Sequence, residues 1–84
     1  MLDQIQIQKI LEGLTSIDHD PNIPKNVRMR IKKAISILAN EEDKNINLKV
    51  DRSLQELGDV AEDPNLPQYT RMQIWSVVSQ LESK

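Results

Sequence analysis

The stretch Asp20-Pro21-Asn22-Ile23-Pro24 returns 43 positions later as Asp63-Pro64-Asn65-Leu66-Pro67, with one apolar residue exchanged for another. Sliding the chain against itself by this interval aligns residues 11–38 with 54–81 without a gap, and eleven of the twenty-eight positions are identical. The sequence reads as one unit written twice, over about residues 3–40 and 47–82. Each stretch carries legible turn chemistry. The aspartate accepts backbone N–H bonds, the first proline presets φ for the first central position of a type I turn, and the asparagine is tolerated at the second. The second proline opens a helix, where its missing N–H is no loss. Ile23 and Leu66 are expected to pack back onto the bend as apolar plugs.

On either side of these turns the apolar residues fall at helical spacing. Ile7, Ile10, Leu11, Leu14 and Ile17 make one stripe over residues 3–18; Val27, Ile31, Ala34, Ile35 and Leu38 make the next over 24–40, with Met29 and Ile37 beside it. A third helix, residues 47–62 with Asn47 as its expected N-cap, carries Val50, Leu54, Leu57, Val60 and Ala61. The fourth, residues 67–81, shows a broad apolar surface of Met72, Ile74, Trp75, Val77, Val78 and Leu81. Gly13 interrupts the first stripe at a cost of about 1 kcal/mol relative to alanine. Its matched position is Glu56, so the repeat requires no glycine there. The polar segment NEEDKNIN, residues 40–47, separates the two units.

Composition narrows the function classes. At 84 residues the chain is expected to form a single domain, residues 1–84, with every apolar face finding a partner. Cysteine is absent, which excludes disulfides, zinc thiolates and thiol nucleophiles and suits a reducing cytoplasm. Asp3, Gln4, Gln6, Gln8 and Lys9 interrupt the first isoleucines, so neither a signal peptide nor a membrane span is expected, and no membrane partner. A net charge of −2 gives no bulk attraction to nucleic acid or anionic lipid. With no phenylalanine, and only Tyr69 and Trp75 as aromatics, the core must be aliphatic.

Two antiparallel helices joined by a short turn cannot bury both stripes alone. Closing the two hairpins on each other gives an all-α, four-helix up-and-down bundle built from duplicated hairpins. The alternative is a HEAT-like pair of repeats, suggested by the period and the turn aspartate. Stacked arrays usually need three or more repeats to protect their ends, so the closed bundle is preferred. Arg28 and Arg71 recur eight positions after the turn aspartates, and each is assigned as a lock on Asp20 or Asp63, through the carboxylate or through carbonyls of the preceding helix.

No catalytic, cofactor-binding or metal-binding residue is assigned. Asp18, His19 and Asp20 form an acid-His-acid cluster, but His19 is the only histidine and Glu62 takes its place in the second unit. No phosphate loop, nucleophile with a base or carboxylate dyad can be assembled, so an enzyme is not expected. Two surfaces compete for a binding role. Tyr69, Met72 and Trp75, with Met29 and Ile37 on the other hairpin, offer an apolar patch for a protein partner or for a homodimer. Arg28, Arg30, Lys32 and Lys33, with Lys25, make a basic face on the second helix suited to phosphates, and so to RNA or a ribosomal site. That face has no aromatic interleaved for base stacking, which ranks nucleic acid second.

The paired turns, the Arg-Met step after each of them (Arg28-Met29, Arg71-Met72) and the ending IWSVVSQLESK together resemble Uncharacterised Protein Family 0147, a group of small archaeal proteins. The resemblance spans nearly the whole chain. It implies a short α-helical protein, a four-helix bundle and a cytoplasmic archaeal setting. It carries over no activity and no functional residue.

Overall fold

Four helices form in the order that the apolar stripes predict. The computed structural model describes residues 3–82; among these lie α1 (Gln4–Asp18), α2 (Lys25–Ala39), α3 (Ile46–Ala61) and α4 (Gln68–Glu82), with no strand. Residues 1–2 and 83–84 of the expected single domain, including the last two residues of the IWSVVSQLESK ending, lie outside the described residues.

Each helix start has a local cause. The Asp3 carboxylate accepts the Gln6 N–H at 2.8 Å while Gln6 Oε1 accepts the Asp3 N–H at 2.9 Å, a reciprocal capping box that begins α1. Two starts differ from the sequence expectation. Pro24 is the N-cap of α2 and not its first helical residue: its backbone is extended (ψ 153°) while its carbonyl already accepts the Arg28 N–H at 3.0 Å. Asn45, not Asn47, caps α3, accepting the Leu48 N–H at 3.1 Å. The reason is local. Asn40 accepts the Glu42 N–H at 3.0 Å and Asp43 accepts the Asn45 N–H at 2.9 Å, so two side-chain turns bring the backbone round to helical geometry early.

The two proline turns fold as read. Asp20 and Asp63 accept the N–H groups of Asn22 and Asn65 at 2.9 and 2.8 Å, and the Leu66 N–H reaches the Asp63 carbonyl at 3.2 Å. Ile23 and Leu66 are buried beneath them. No described residue has positive φ, so no helix ends on a left-handed glycine. Backbone N–H groups just past the ends serve several end carbonyls, Asp20 to Ile17 and Asp63 to Val60 among them, and an arginine adds to the bonding at each of these two corners. Arg28 donates from Nε to the Asp18 carbonyl at 3.0 Å and from Nη2 to the Asp20 carbonyl at 2.7 Å; Arg71 Nη2 donates to the Asp63 carbonyl at 2.8 Å. The expected arginine locks therefore act through carbonyls, because the aspartate carboxylates already serve the turn. Lys49, which carries no signal in the sequence pattern, treats the third connection alike: its Nζ donates to the carbonyls of Asn40 (2.7 Å) and Asp43 (3.2 Å).

Helix neighbours decide between the two architectures. α1 packs on α2, α2 on α3, α3 on α4 and α4 back on α1, while the backbones of neither diagonal pair come within 8 Å, Cα to Cα. That closed ring is the up-and-down bundle; a stack of repeats would lay α1 on α3 and α2 on α4. Along the axis, Ile10, Leu14, Ile31, Leu57, Ile74 and Leu81 lie fully inside, an aliphatic core as composition required. Gly13 sits at the α1–α4 seam, where an added Cβ would lie 3.6 Å from Val77, an ordinary contact.

Changing single donors tests this scheme. Arg28→Met is expected to lower the unfolding free energy by about 1–3 kcal/mol, and Arg71→Met by less, since it loses one carbonyl contact where Arg28 loses two; urea denaturation checks the order. Substitutions in the other direction should stabilise. Thr70 is 1% exposed with its hydroxyl unpartnered, and its matched position is Val27, so Thr70→Val should add about 1 kcal/mol. Gly58→Ala, whose new Cβ meets nothing within 4 Å, should add a similar amount, about 1 kcal/mol, read as a rise in melting temperature.

Candidate interaction surfaces

The basic run on α2 meets acids that its own stretch of sequence lacks. Arg30 Nη1 lies 3.2 Å from both Glu56 and Asp59 on α3, and Lys33 Nζ lies 3.1 Å from Glu56. Arg28 turns back to the carbonyls of Asp18 and Asp20, and Lys32 stands 3.9 Å from the Asp18 carboxylate. All four residues of the expected phosphate-binding face thus have partners in this fold. The sequence pattern held the signal. Arg30 and Lys33 are three apart, as are Glu56 and Asp59, so the two pairs present opposite charges on facing ridges once α2 and α3 are neighbours.

The acid-His-acid cluster is pulled apart in the same way. Asp18 faces Lys32, Asp20 accepts from the turn, and His19 is exposed as the C-cap of α1. Among the described residues no group of three or more His, Asp or Glu is placed to hold a metal ion.

On α4 the broad apolar surface divides in two. Thr70, Ile74, Val77, Val78 and Leu81 face the core, whereas Tyr69, Met72 and Trp75 are 71%, 64% and 53% exposed. The spacing of the exposed three makes a ridge across the outer face of the helix. Its surroundings carry almost no charge. Across α4 the charged residues are Arg71, which is engaged with the Asp63 carbonyl, and Glu82 in the last position. Met29 and Ile37 do not join this ridge: Met29 is exposed and Ile37 half-buried on α2, diagonally across the bundle from α4. The patch expected from sequence therefore contracts to α4 alone.

A third feature had no sequence signal. At the end of the bundle opposite the proline turns, an open cleft of about 500 Å³ lies among the start of α1, the end of α2 and the start of α3. Ile7, Leu11, Leu38 and Ile46 line it together with Asp3, Glu41 and Lys49. Residues from three helices make it, and no local motif marks such a place.

Glu56 holds two cations, with only 16% of its side chain exposed, so its charge should matter to the α2–α3 seam. Glu56→Gln is expected to cost about 1 kcal/mol at low salt, and the difference should shrink as ionic strength rises. Melting curves of both proteins over a salt series check it.

Known proteins agree with this architecture. A family model described as Uncharacterised protein family (UPF0147) matches residues 2–83. The crystal structure of a protein of unknown function, MMP1188, is similar at a TM-score of 0.88 and 36% identity, covering 100% of this chain and 96% of that one. A protein of the uncharacterised family UPF0147 from Thermoplasma acidophilum is similar at a TM-score of 0.88 and 28% identity, covering 96% of this chain and 94% of that one. No curated protein matches the chain.

Proposed function

We propose, for a chain that belongs to the uncharacterised protein family UPF0147, that it works as a non-enzymatic interaction module whose contact surface is the outer face of α4. The observation that carries this reading is the ridge of Tyr69, Met72 and Trp75, exposed on a helix almost without charge. Cores of protein interfaces are depleted in charge and enriched in aromatic residues and methionine, which cover much area for few rotatable bonds. An aliphatic core leaves both aromatics of the described chain outside, and both stand on this one face. The non-enzymatic half rests on the acids: Asp18, Asp20, Glu56, Asp59 and Asp63 each hold a structural contact.

Binding of RNA through Arg28, Arg30, Lys32 and Lys33 has less behind it, because those cations already face carbonyls or carboxylates. The setting we assign is the cytoplasm, in keeping with a chain without cysteine. Among the described residues, no helix is long and apolar enough to cross a membrane.

The test is retention of proteins from a native lysate by the tagged full chain, at about 0.5 M salt and with or without nuclease. A retained protein, a differently tagged copy of the chain included, should survive both treatments. It should be lost with the Met72→Ser, Trp75→Ser double variant at unchanged melting temperature. Release by nuclease, or retention indifferent to the double variant, overturns the assignment to α4.

A further inference from the structure

We infer that the partner of the α4 face is a second copy of this chain, docked across a twofold axis that passes beside Met72. The inference rests on the assignment of α4 as the contact face and adds the identity of what covers it.

Three observations point to a copy. The first is charge. Under a twofold each residue meets a different one except at the axis, so a face carrying charges of one sign repels its own copy, whereas a face almost without charge does not. On α4 the side chains from Gln68 to Leu81 include a single charged one, Arg71, and it is committed to the Asp63 carbonyl. The matched face of α2 fails this condition, since Met29, itself 62% exposed, is flanked by Lys25, Lys32 and Lys33. A strongly charged partner would find nothing on α4 to pair with.

The second observation is the order of the ridge. Tyr69 and Trp75 lie three residues on either side of Met72, each about 4.5 Å from it along the helix axis. A twofold beside Met72 therefore sets Tyr69 against the second copy's Trp75 and Trp75 against the second copy's Tyr69, with the two methionines between. Aromatic side chains of different size thus meet each other, and the flexible thioethers fill the gap at the axis.

The third is area. With exposures of 71%, 64% and 53% for Tyr69, Met72 and Trp75, and roughly 150–250 Å² for a fully buried aromatic, the ridge offers on the order of 400 Å² per copy. Two copies bury on the order of 800 Å² through the ridge alone, with the bordering glutamines and serines adding to it, which is below the roughly 1,200 Å² of stable specific interfaces and in the range of weak, transient ones. The dimer is accordingly weak, with a Kd on the order of 10–100 μM.

Sedimentation of the full chain from about 1 μM to about 1 mM should show a monomer passing to a dimer. Emission from Trp75, the only tryptophan, should shift to shorter wavelength over the same range. Because the chain has no cysteine, Met72→Cys introduces a single thiol, and oxidation should couple it to a second copy at least tenfold faster than Met29→Cys, the equally exposed control. Met72→Lys and Met72→Glu should each stay monomeric where the unmodified chain dimerises, and their equimolar mixture should dimerise again. A chain that stays monomeric to about 1 mM yet loses a retained lysate protein with the Met72→Ser, Trp75→Ser variant overturns the second copy and leaves α4 as the face for another protein. A dimer in which the two cysteine variants couple at equal rates puts the contact elsewhere and overturns the twofold beside Met72.

Discussion

Helix ends without glycine are the constraint on which the rest of this bundle depends. An α-helix leaves its last carbonyls without intrahelical donors, and the usual relief is a left-handed residue that folds the chain back onto them. Here no described residue adopts that conformation. Backbone N–H groups just past each end serve several of them, and cations of the next helix hold the connection that follows. In each of α2, α3 and α4 the fourth residue is a long cation, Arg28, Lys49 and Arg71 in turn, and each reaches back to carbonyls of the connection before it. The three connections are six residues long, at 19–24, 40–45 and 62–67, although the middle one shares no turn motif with the others. Each of these anchored connections leads one helix back along the one before it, and the four helices close a ring. These reaching cations also tie the start of each helix to the connection before it, which helps to hold the crossing.

The two seams between the hairpins are not alike. The α2–α3 seam is the most extensive and carries a charged clasp of Arg30 and Lys33 with Glu56 and Asp59. The positions matched to the cations are Gln73 and Ser76, and those matched to the acids are Gly13 and Ser16. The α1–α4 seam accordingly has no such clasp and closes by apolar contact, with Val77 against Gly13. Charge has thus been concentrated on one side of the ring. The same division leaves α4 with a neutral exterior, while α2 keeps lysines around its outer methionine.

Much of this is legible in the residues alone. Four stripes at helical spacing suffice for four helices, and the proline turns mark two of the three bends, since the Asp20 and Asp63 carboxylates each accept a backbone N–H within their own five residues. The buried plugs Ile23 and Leu66 are legible for the same reason. What escapes is decided at longer range or by a choice among similar residues. NEEDKNIN offers several side chains able to cap a helix, and which one does so depends on the two side-chain turns that precede it. Placing the start at Asn47 makes Lys49 an early surface lysine; starting at Ile46 makes it the fourth residue and the anchor of the connection. The basic face of α2 is correctly located by its sequence, yet its partners lie more than twenty positions away on α3, beyond any local pattern. Charge spacing on two helices becomes informative only after their adjacency is known.

The position of the aromatics is set by the size of the ring. Four helices of 15 or 16 residues leave an axial space that isoleucine, leucine and valine fill. An indole or phenol inside it would need a hydrogen-bond partner for its polar tip and would force the helices apart. Trp75 and Tyr69 are excluded from the core on those grounds, but exclusion alone would scatter them. Both instead flank Met72 on the one outer face that lacks charge. A solvated face would be served by charged side chains, as Lys25, Lys32 and Lys33 serve the outer face of α2. Keeping three large apolar side chains in water at this place, in a chain with 29% charged residues, opposes solubility unless the face is covered. The same partition of charge that clasps α2 to α3 thus leaves these three side chains together on a nearly uncharged exterior.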